Sequence, residues 1–170
     1  NGYSPCSSVS TDPQMFNGQK QPYDAGGSKY GTVSMATALA KSINNASLFL
    51  LNQVGIGAFV DFIGKCGISS DIEKVPSIAL GVSDISLYEM IWAYSMFPNK
   101  GINTKPLFIT KIEDKDGNVL QTYTPVQKEI INDQTAYKMV LMMKGVTEFG
   151  TAGRLRWRYG LTGDMAGKTG

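Results

Sequence analysis

Apolar and polar positions alternate with two different periods along the chain, and the period marks out its elements. From Ser34, a residue type that caps helices, Met35, Ala38 and Leu39 recur at helical spacing and the pattern fades near Ser42. Asn44 and Asn45 then predict a turn, followed by a helix over about 46–54 that is apolar nearly all round and so expected to be buried. Gly55 and Gly57 separate it from a short helix carrying Phe59, Val60 and Ile63, which Gly64 and Gly67 end. Ser86 and Glu89 stand at capping-box spacing, and Leu87, Met90, Ile91 and Tyr94 behind them line one helical face that Pro98 and Gly101 close.

The period then shortens. Residues 107–113 are β-rich, and Asp116-Gly117 ahead of Val119, Leu120 and Tyr123 predicts a hairpin turn. Helical spacing returns with Ala136, Met139, Val140, Met143 and Val146 behind a cap at Asn132 or Asp133, and Gly150 and Gly153 end it. The last twenty residues predict loop then strand, with Arg154, Arg156 and Arg158 at period two on one face. Ahead of all this, residues 1–33 hold Pro5, Pro13, Pro22 and Gly26-Gly27 among polar side chains, an extended, loop-rich stretch. The division is therefore a connection over 1–33, a helical subdomain over 34–100, and a hairpin, helix and terminal strand over 101–170. Helices gather in the first two thirds and strands in the last, which predicts an α+β fold.

Composition narrows the chemistry. The 170 residues are 42% hydrophobic, ordinary for a packed globular chain. A formal net charge of +2, with no block of like charges, argues against a nucleic-acid partner, and the arginines beside Trp157 and Tyr159 read as one face of a strand. No apolar run approaches the roughly 18 residues that cross a bilayer, and Asn1 to Thr11 does not look like a signal peptide, so any anchor is expected outside these residues. Cys6 and Cys66 match no zinc spacing, and pairing between them or two unlinked thiols both remain open. Histidine is absent, which removes Ser-His-Asp and Cys-His catalysis and the commonest metal ligand together. No metal or cofactor is expected, and a nucleophile would need another activator, such as lysine.

Two short motifs carry candidate chemistry. Ser42-Ile43-Asn44 sits where the first helix ends, a place where a hydroxyl and an amide can project into a cleft, and Lys168-Thr169-Gly170 closes the chain. Gly167-Lys168-Thr169 also compares with a phosphate-binding loop, but Thr162 stands where that loop needs its first glycine and no strand pattern precedes it, so a P-loop is only a remote alternative.

Longer strings make the motifs specific. The run 31–44, ending in Lys41-Ser42-Ile43-Asn44, resembles the second-motif region of class A penicillin-binding proteins. Gly2-Tyr3-Ser4-Pro5 and Gln21-Pro22-Tyr23, the run 79–86 leading into Glu89-Met90 and Ala93-Tyr94, then Gly150-Thr151-Ala152 and Ala166-Gly167-Lys168-Thr169-Gly170 follow in that family's order. The resemblance implies a penicillin-binding, serine β-lactamase-like transpeptidase fold, an antiparallel sheet flanked by helices with a helical subdomain, present here in part.

The implied reaction is acyl transfer from D-Ala-D-Ala stem peptides to cross-link peptidoglycan, with β-lactams acylating the same serine. By the resemblance, Ser42 helps shuttle protons and Asn44 orients the substrate amide or the catalytic lysine. Lys168 and Thr169 bind the donor carboxylate, and Gly170 lets substrate approach the strand. The implied partners are stem peptides, lipid-linked precursors, β-lactams and the rest of a parent chain. The implied location is the extracytoplasmic, periplasmic face of a bacterial inner membrane.

One departure is severe. The family's nucleophile lies in Ser-x-x-Lys, and no lysine here follows a serine at that spacing; Thr135 to Lys138 is the sole threonine match, read as chance. By family order the nucleophile helix is expected shortly before Asn1 and the oxyanion-hole strand just after Gly170, so these residues alone are expected to be inactive. A non-catalytic peptidoglycan-binding or interaction fragment of the same fold is the alternative. The motifs by themselves leave transpeptidase, carboxypeptidase and β-lactamase open, and the collinear strings favour the first.

Overall fold

A computed structural model describes residues 2–16, 18–20 and 31–170; Pro22, Gly26-Gly27 and the Gln21-Pro22-Tyr23 string lie outside the described residues. In chain order the elements are β1 (Ser8–Ser10), β2 (Met15–Phe16), β3 (Gln19–Lys20), β4 (Thr32–Ser34), α1 (Met35–Ala40), α2 (Asn44–Val54) and α3 (Ile56–Lys65). A 3-10 turn at Pro76–Leu80 leads to α4 (Leu87–Tyr94), β5 (Ile102–Thr104), β6 (Lys111–Glu113), β7 (Val119–Thr122), β8 (Gln127–Glu129), α5 (Asp133–Glu148) and α6 (Arg154–Trp157). The strands pair antiparallel two by two, β1 with β4, β2 with β3, β5 with β8 and β6 with β7. This is α+β as expected, with hairpin-like pairs in place of one continuous sheet among the described residues.

The core forms around the β1–β4 pair and the helices that follow it. Val9 lies opposite Val33 in the register and is fully buried with Ala38, Ile43 and Ala46, while Phe49 and Leu50 close over them. Val9 and Ile43 contribute about 1.5–3 kcal/mol each on burial, and each alanine methyl about 0.8 kcal/mol. The expected loop-rich start therefore contains a strand pair that the sequence concealed, because β1 is only three residues long and its partner lies beyond a long connection. Ser34 caps α1 as expected, its hydroxyl accepting from Thr37 N–H at 3.1 Å. Met35 and Ala36 donate their N–H groups to Ser7 and Pro5 carbonyls, so the start of α1 is pinned to the β1 side of the core.

The turn expected at Asn44 and Asn45 lies one step earlier. Ser42 adopts φ 53°, and this left-handed residue reverses the chain, so both asparagines already belong to α2. Downstream, α4 opens with the expected capping box, but its buried face is not the expected one. Leu87 is 76% exposed and Ile91 54%, whereas Glu89 is buried. The reason is polar. Glu89 Oε1 accepts from Ser69 N and Oγ, both at 2.8 Å, and from Ser70 N at 2.9 Å. Its Oε2 accepts from Ser70 Oγ at 2.7 Å, Ser86 N at 3.1 Å and Ser86 Oγ at 2.7 Å. That cluster turns the Glu89, Trp92 and Met96 side of the segment inward. Asn103 locks it further, its amide donating to Cys66 O at 3.0 Å and Trp92 O at 2.9 Å.

The hydrogen bonds from Ser70, Ser86 and Ser69 hold the Glu89 carboxyl well below the ordinary value near 4.5. A carboxyl depressed in the folded state stabilises it fully above the unfolded value, and that contribution is lost as pH falls towards the folded value. Thermal stability is therefore expected to decline as pH drops below about 4.5. Glu89→Gln, whose amide nitrogen cannot accept, should lower Tm at neutral pH by roughly 5–10 °C and flatten that acid limb. A Tm-versus-pH series on both proteins checks this, and parallel acid limbs would refute it.

The hairpin expected at Asp116-Gly117 is present as β6 and β7. Gly117 takes φ 85°, and Asp114 Oδ1 accepts from Asp116 and Asn118 N–H at 2.8 and 2.9 Å. The pair β5–β8 was not expected, since Ile102–Thr104 and Gln127–Glu129 carry too few apolar residues to show a period. Asn132 caps α5 by accepting from Thr135 N–H at 2.8 Å, and α5 buries Ala136, Met143 and Val146. It lies across α1.

The C-terminal strand expectations need correction. Arg154–Trp157 is a single helical turn, closed by Trp157 N–H to Gly153 O and Arg158 N–H to Arg154 O, so the arginines do not share a strand face. Without a neighbouring strand among the described residues, local bonds decide the backbone. Residues 164–170, Lys168-Thr169-Gly170 included, run without ladder pairing for the same reason. Cys6 is exposed and Cys66 buried, and both are free thiols; burial pushes Cys66 up to about 11. No single helix among the described residues is long and apolar enough to cross a membrane; α2 and α3 meet that test only together and are bent by 94°.

Candidate active site

The end of α1 explains how Ser42 is presented. Ser42 N–H bonds to Leu39 O at 3.1 Å and Ile43 N–H to Ala38 O at 3.0 Å, the paired bonds of a Schellman ending. Ile43 packs back on Ala38, the apolar contact that accompanies this motif. The left-handed position normally belongs to glycine, and a serine there costs on the order of 1 kcal/mol. What the strained residue supplies is an exposed hydroxyl aimed away from the helix. Asn44 stands two residues on, exposed in the first turn of α2.

Lys168 reaches the same point from the other end of the chain. Its Nζ donates to Ser42 Oγ at 2.8 Å and also to the carbonyl of Thr169. Burial lowers the Lys168 pKa from the ordinary lysine value. No carboxylate forms an ion pair with Lys168 among the described residues, where the ion pairs are Lys111–Glu113 and Lys144–Asp164. The ammonium is therefore available to an external anion. Thr169 Oγ1 lies 2.6 Å from Thr151 Oγ1.

Helix α5 holds the lysine segment in place. Thr147 Oγ1 donates to Met165 O at 2.7 Å, Lys144 Nζ meets Asp164 Oδ1 at 3.1 Å, and Gly167 N–H reaches Met143 O at 3.3 Å. Beneath Ser42 and Lys168 lies a hollow of about 200 Å³ walled by Met35, Leu39 and Leu50 on one side and Met139 and Met142 on the other. An ammonium and hydroxyls above an apolar wall suit a ligand with a carboxylate at one end and an apolar body.

Of the expected site residues, Ser42 and Lys168 are in direct contact, Thr169 and Gly170 adjoin Lys168, and Asn44 lies beside Ser42 in the chain. Thr151 carries no role that the sequence reveals, although it lies in the family-like string Gly150-Thr151-Ala152. Its signal was a hydroxyl between two glycines directly after a helix.

Residues 4–170 match the penicillin binding protein transpeptidase domain. The chain belongs to this transpeptidase domain family. The penicillin-binding protein 1A of Aquifex aeolicus is 35% identical over 142 residues, 84% of this chain and 19% of that protein. This transpeptidase-family chain thus spans about a fifth of the length of such relatives. Its fold is similar to the crystal structure of penicillin-binding protein 1A from Haemophilus influenzae, with a TM-score of 0.84 and 21% identity over 99% of this chain and 31% of the other. The PonA1 protein of Mycobacterium tuberculosis, solved in complex with penicillin V, is similar at a TM-score of 0.74 and 22% identity over 87% of this chain and 43% of that one. The collinear resemblance read from the strings, and the partial transpeptidase fold it implied, are thereby borne out.

Proposed function

We propose that this chain supplies the carboxylate-binding and proton-shuttling edge of a serine D,D-transpeptidase that cross-links peptidoglycan stem peptides and is acylated by β-lactams. The observation that carries the reading is the 2.8 Å contact between Lys168 Nζ and Ser42 Oγ, which joins the two motifs across 126 residues. In this reading the Lys168 ammonium and the Thr169 hydroxyl take up the terminal carboxylate of D-Ala-D-Ala, or the carboxylate of a penicillin. Because Lys168 donates to Ser42 Oγ, the Ser42 proton is left to point at the departing amine. As the acyl bond forms on the nucleophilic serine, Ser42 gives that proton to the amine and is reprotonated by the lysine that took the nucleophile's proton, so Lys168 keeps its charge on the carboxylate. Asn44 orients the substrate amide from the start of α2. Stem peptides and lipid-linked precursors are the substrates, and the extracytoplasmic face of the inner membrane is the working location.

The sequence holds no Ser-x-x-Lys, so the attacking serine and the lysine that deprotonates it are not among these residues. Intact mass after incubation with penicillin is the direct test. The 170 residues alone should show no penicilloyl adduct, whereas a chain lengthened at both ends to the span of a relative's transpeptidase domain should gain one. An adduct on the short chain, or none on the long one, would sink the reading.

A further inference from the structure

We propose that Thr151 is a positioning residue for carboxylate capture: its hydroxyl donates to Thr169 and so aims the Thr169 proton at the anion. This rests on the carboxylate-binding reading above. Two hydroxyl oxygens 2.6 Å apart share one proton between them, so one hydroxyl donates and the other is left free to donate elsewhere. If Thr169 is to donate to a substrate carboxylate, Thr151 must be the donor in this pair. The two hydroxyls then form a chain ending on the anion, and each bond polarises the next.

The backbone fixes Thr151 independently of Thr169. Its N–H bonds to Ala40 O at 3.0 Å, and a side chain on Gly150 would lie 2.2 Å from that same oxygen, so the two segments are in direct backbone contact. Ala40 stands two residues before Ser42 in the Schellman ending of α1. Thr151 therefore ties the Thr169 hydroxyl to the frame that carries Ser42, and the hydroxyl and the ammonium meet an incoming carboxylate in one fixed geometry. A surface contact between two threonines with no such role would affect stability slightly and would not discriminate between ligands.

The test compares second-order acylation rates of the lengthened chain by benzylpenicillin and by its methyl ester, which lacks the anionic charge. Thr151→Val is expected to slow the carboxylate reaction about fivefold, the worth of one neutral hydrogen bond, and to leave the slower ester reaction unchanged. Thr151→Ser should restore the wild-type ratio. Equal slowing of both reactions, or an unchanged ratio in the valine variant, overturns the role of Thr151 alone. A wild-type chain that is not acylated, or that does not prefer the carboxylate, overturns it together with the reading on which it rests.

Discussion

Replacing Lys168 with alanine should lower the rate of β-lactam acylation of the lengthened chain about a hundredfold while leaving the fold intact. A charge-assisted hydrogen bond to a carboxylate is worth roughly 1.5–3 kcal/mol, and about 2.7 kcal/mol is a factor of a hundred in rate. The fold should not suffer. Lys168 is in no ion pair among the described residues, and its segment is held by Thr147, Lys144 and Gly167. Tm is thus expected to fall by no more than about 2–4 °C, the worth of its exposed hydrogen bond to Ser42.

The pH profile gives the same result from another side. Burial lowers Lys168 from the ordinary lysine value of 10.5, and lysine is charged below its pKa. Carboxylate capture should therefore fade as pH rises through the lowered value, earlier than an ordinary lysine would allow. That alkaline loss should be missing in Lys168→Ala. Stopped-flow acylation across pH reads both effects, and a variant as fast as the wild type would remove Lys168 from the site.

The second large effect is on stability. Gly150→Ala should cost about 3 kcal/mol, or roughly 10 °C in Tm. An added methyl would lie 2.2 Å from Ala40 O, 2.8 Å from Ala40 C and 2.8 Å from Val146 Cα, all of them backbone atoms that cannot rotate aside. The chain can make room only by moving α1 away from α5. Because Ala40 leads directly into Ser42, that movement also carries the hydroxyl away from Lys168, and acylation should fall along with stability. Calorimetry and acylation of the same variant check the pairing, and a variant of wild-type Tm would show that the contact is soft.

What the sequence revealed and what it hid divide by distance along the chain. The caps at Ser34 and Asn132, the Ser86–Glu89 box and the Asp116-Gly117 turn were legible because each is settled within about four residues. The pairs β1–β4 and β5–β8 were not, since strands of three residues show no period and their partners lie far off. Local reading also failed where a polar group overrode the apolar pattern. Glu89 drew its own face of α4 inward against Leu87 and Ile91, and the left-handed Ser42 made the turn assigned to Asn44 and Asn45. Arg154, Arg156 and Arg158 showed a strand period, but with no strand beside them among the described residues they closed a helical turn.

The site itself was readable as residue types. Ser42, Asn44, Lys168, Thr169 and Gly170 were all singled out, because their chemistry and order match a known family. Their geometry was not readable. Nothing in the sequence shows that Lys168 touches Ser42, or that Thr151 touches Thr169, since both contacts depend on how α1 and α5 cross.

The contact between Lys168 and Ser42 also bears on how the chain acquires its shape. It closes a loop spanning 126 residues, and the chain entropy lost in such a closure is about 4 kcal/mol. A single exposed hydrogen bond returns only about 1 kcal/mol. The contact cannot gather the chain by itself and depends on the apolar crossing of α1 and α5, which brings Ser42 and Lys168 within reach. The ammonium and hydroxyl can meet only where that crossing is in place, so any change that loosens the two helices dismantles the site before it unfolds the chain's remaining elements from one another.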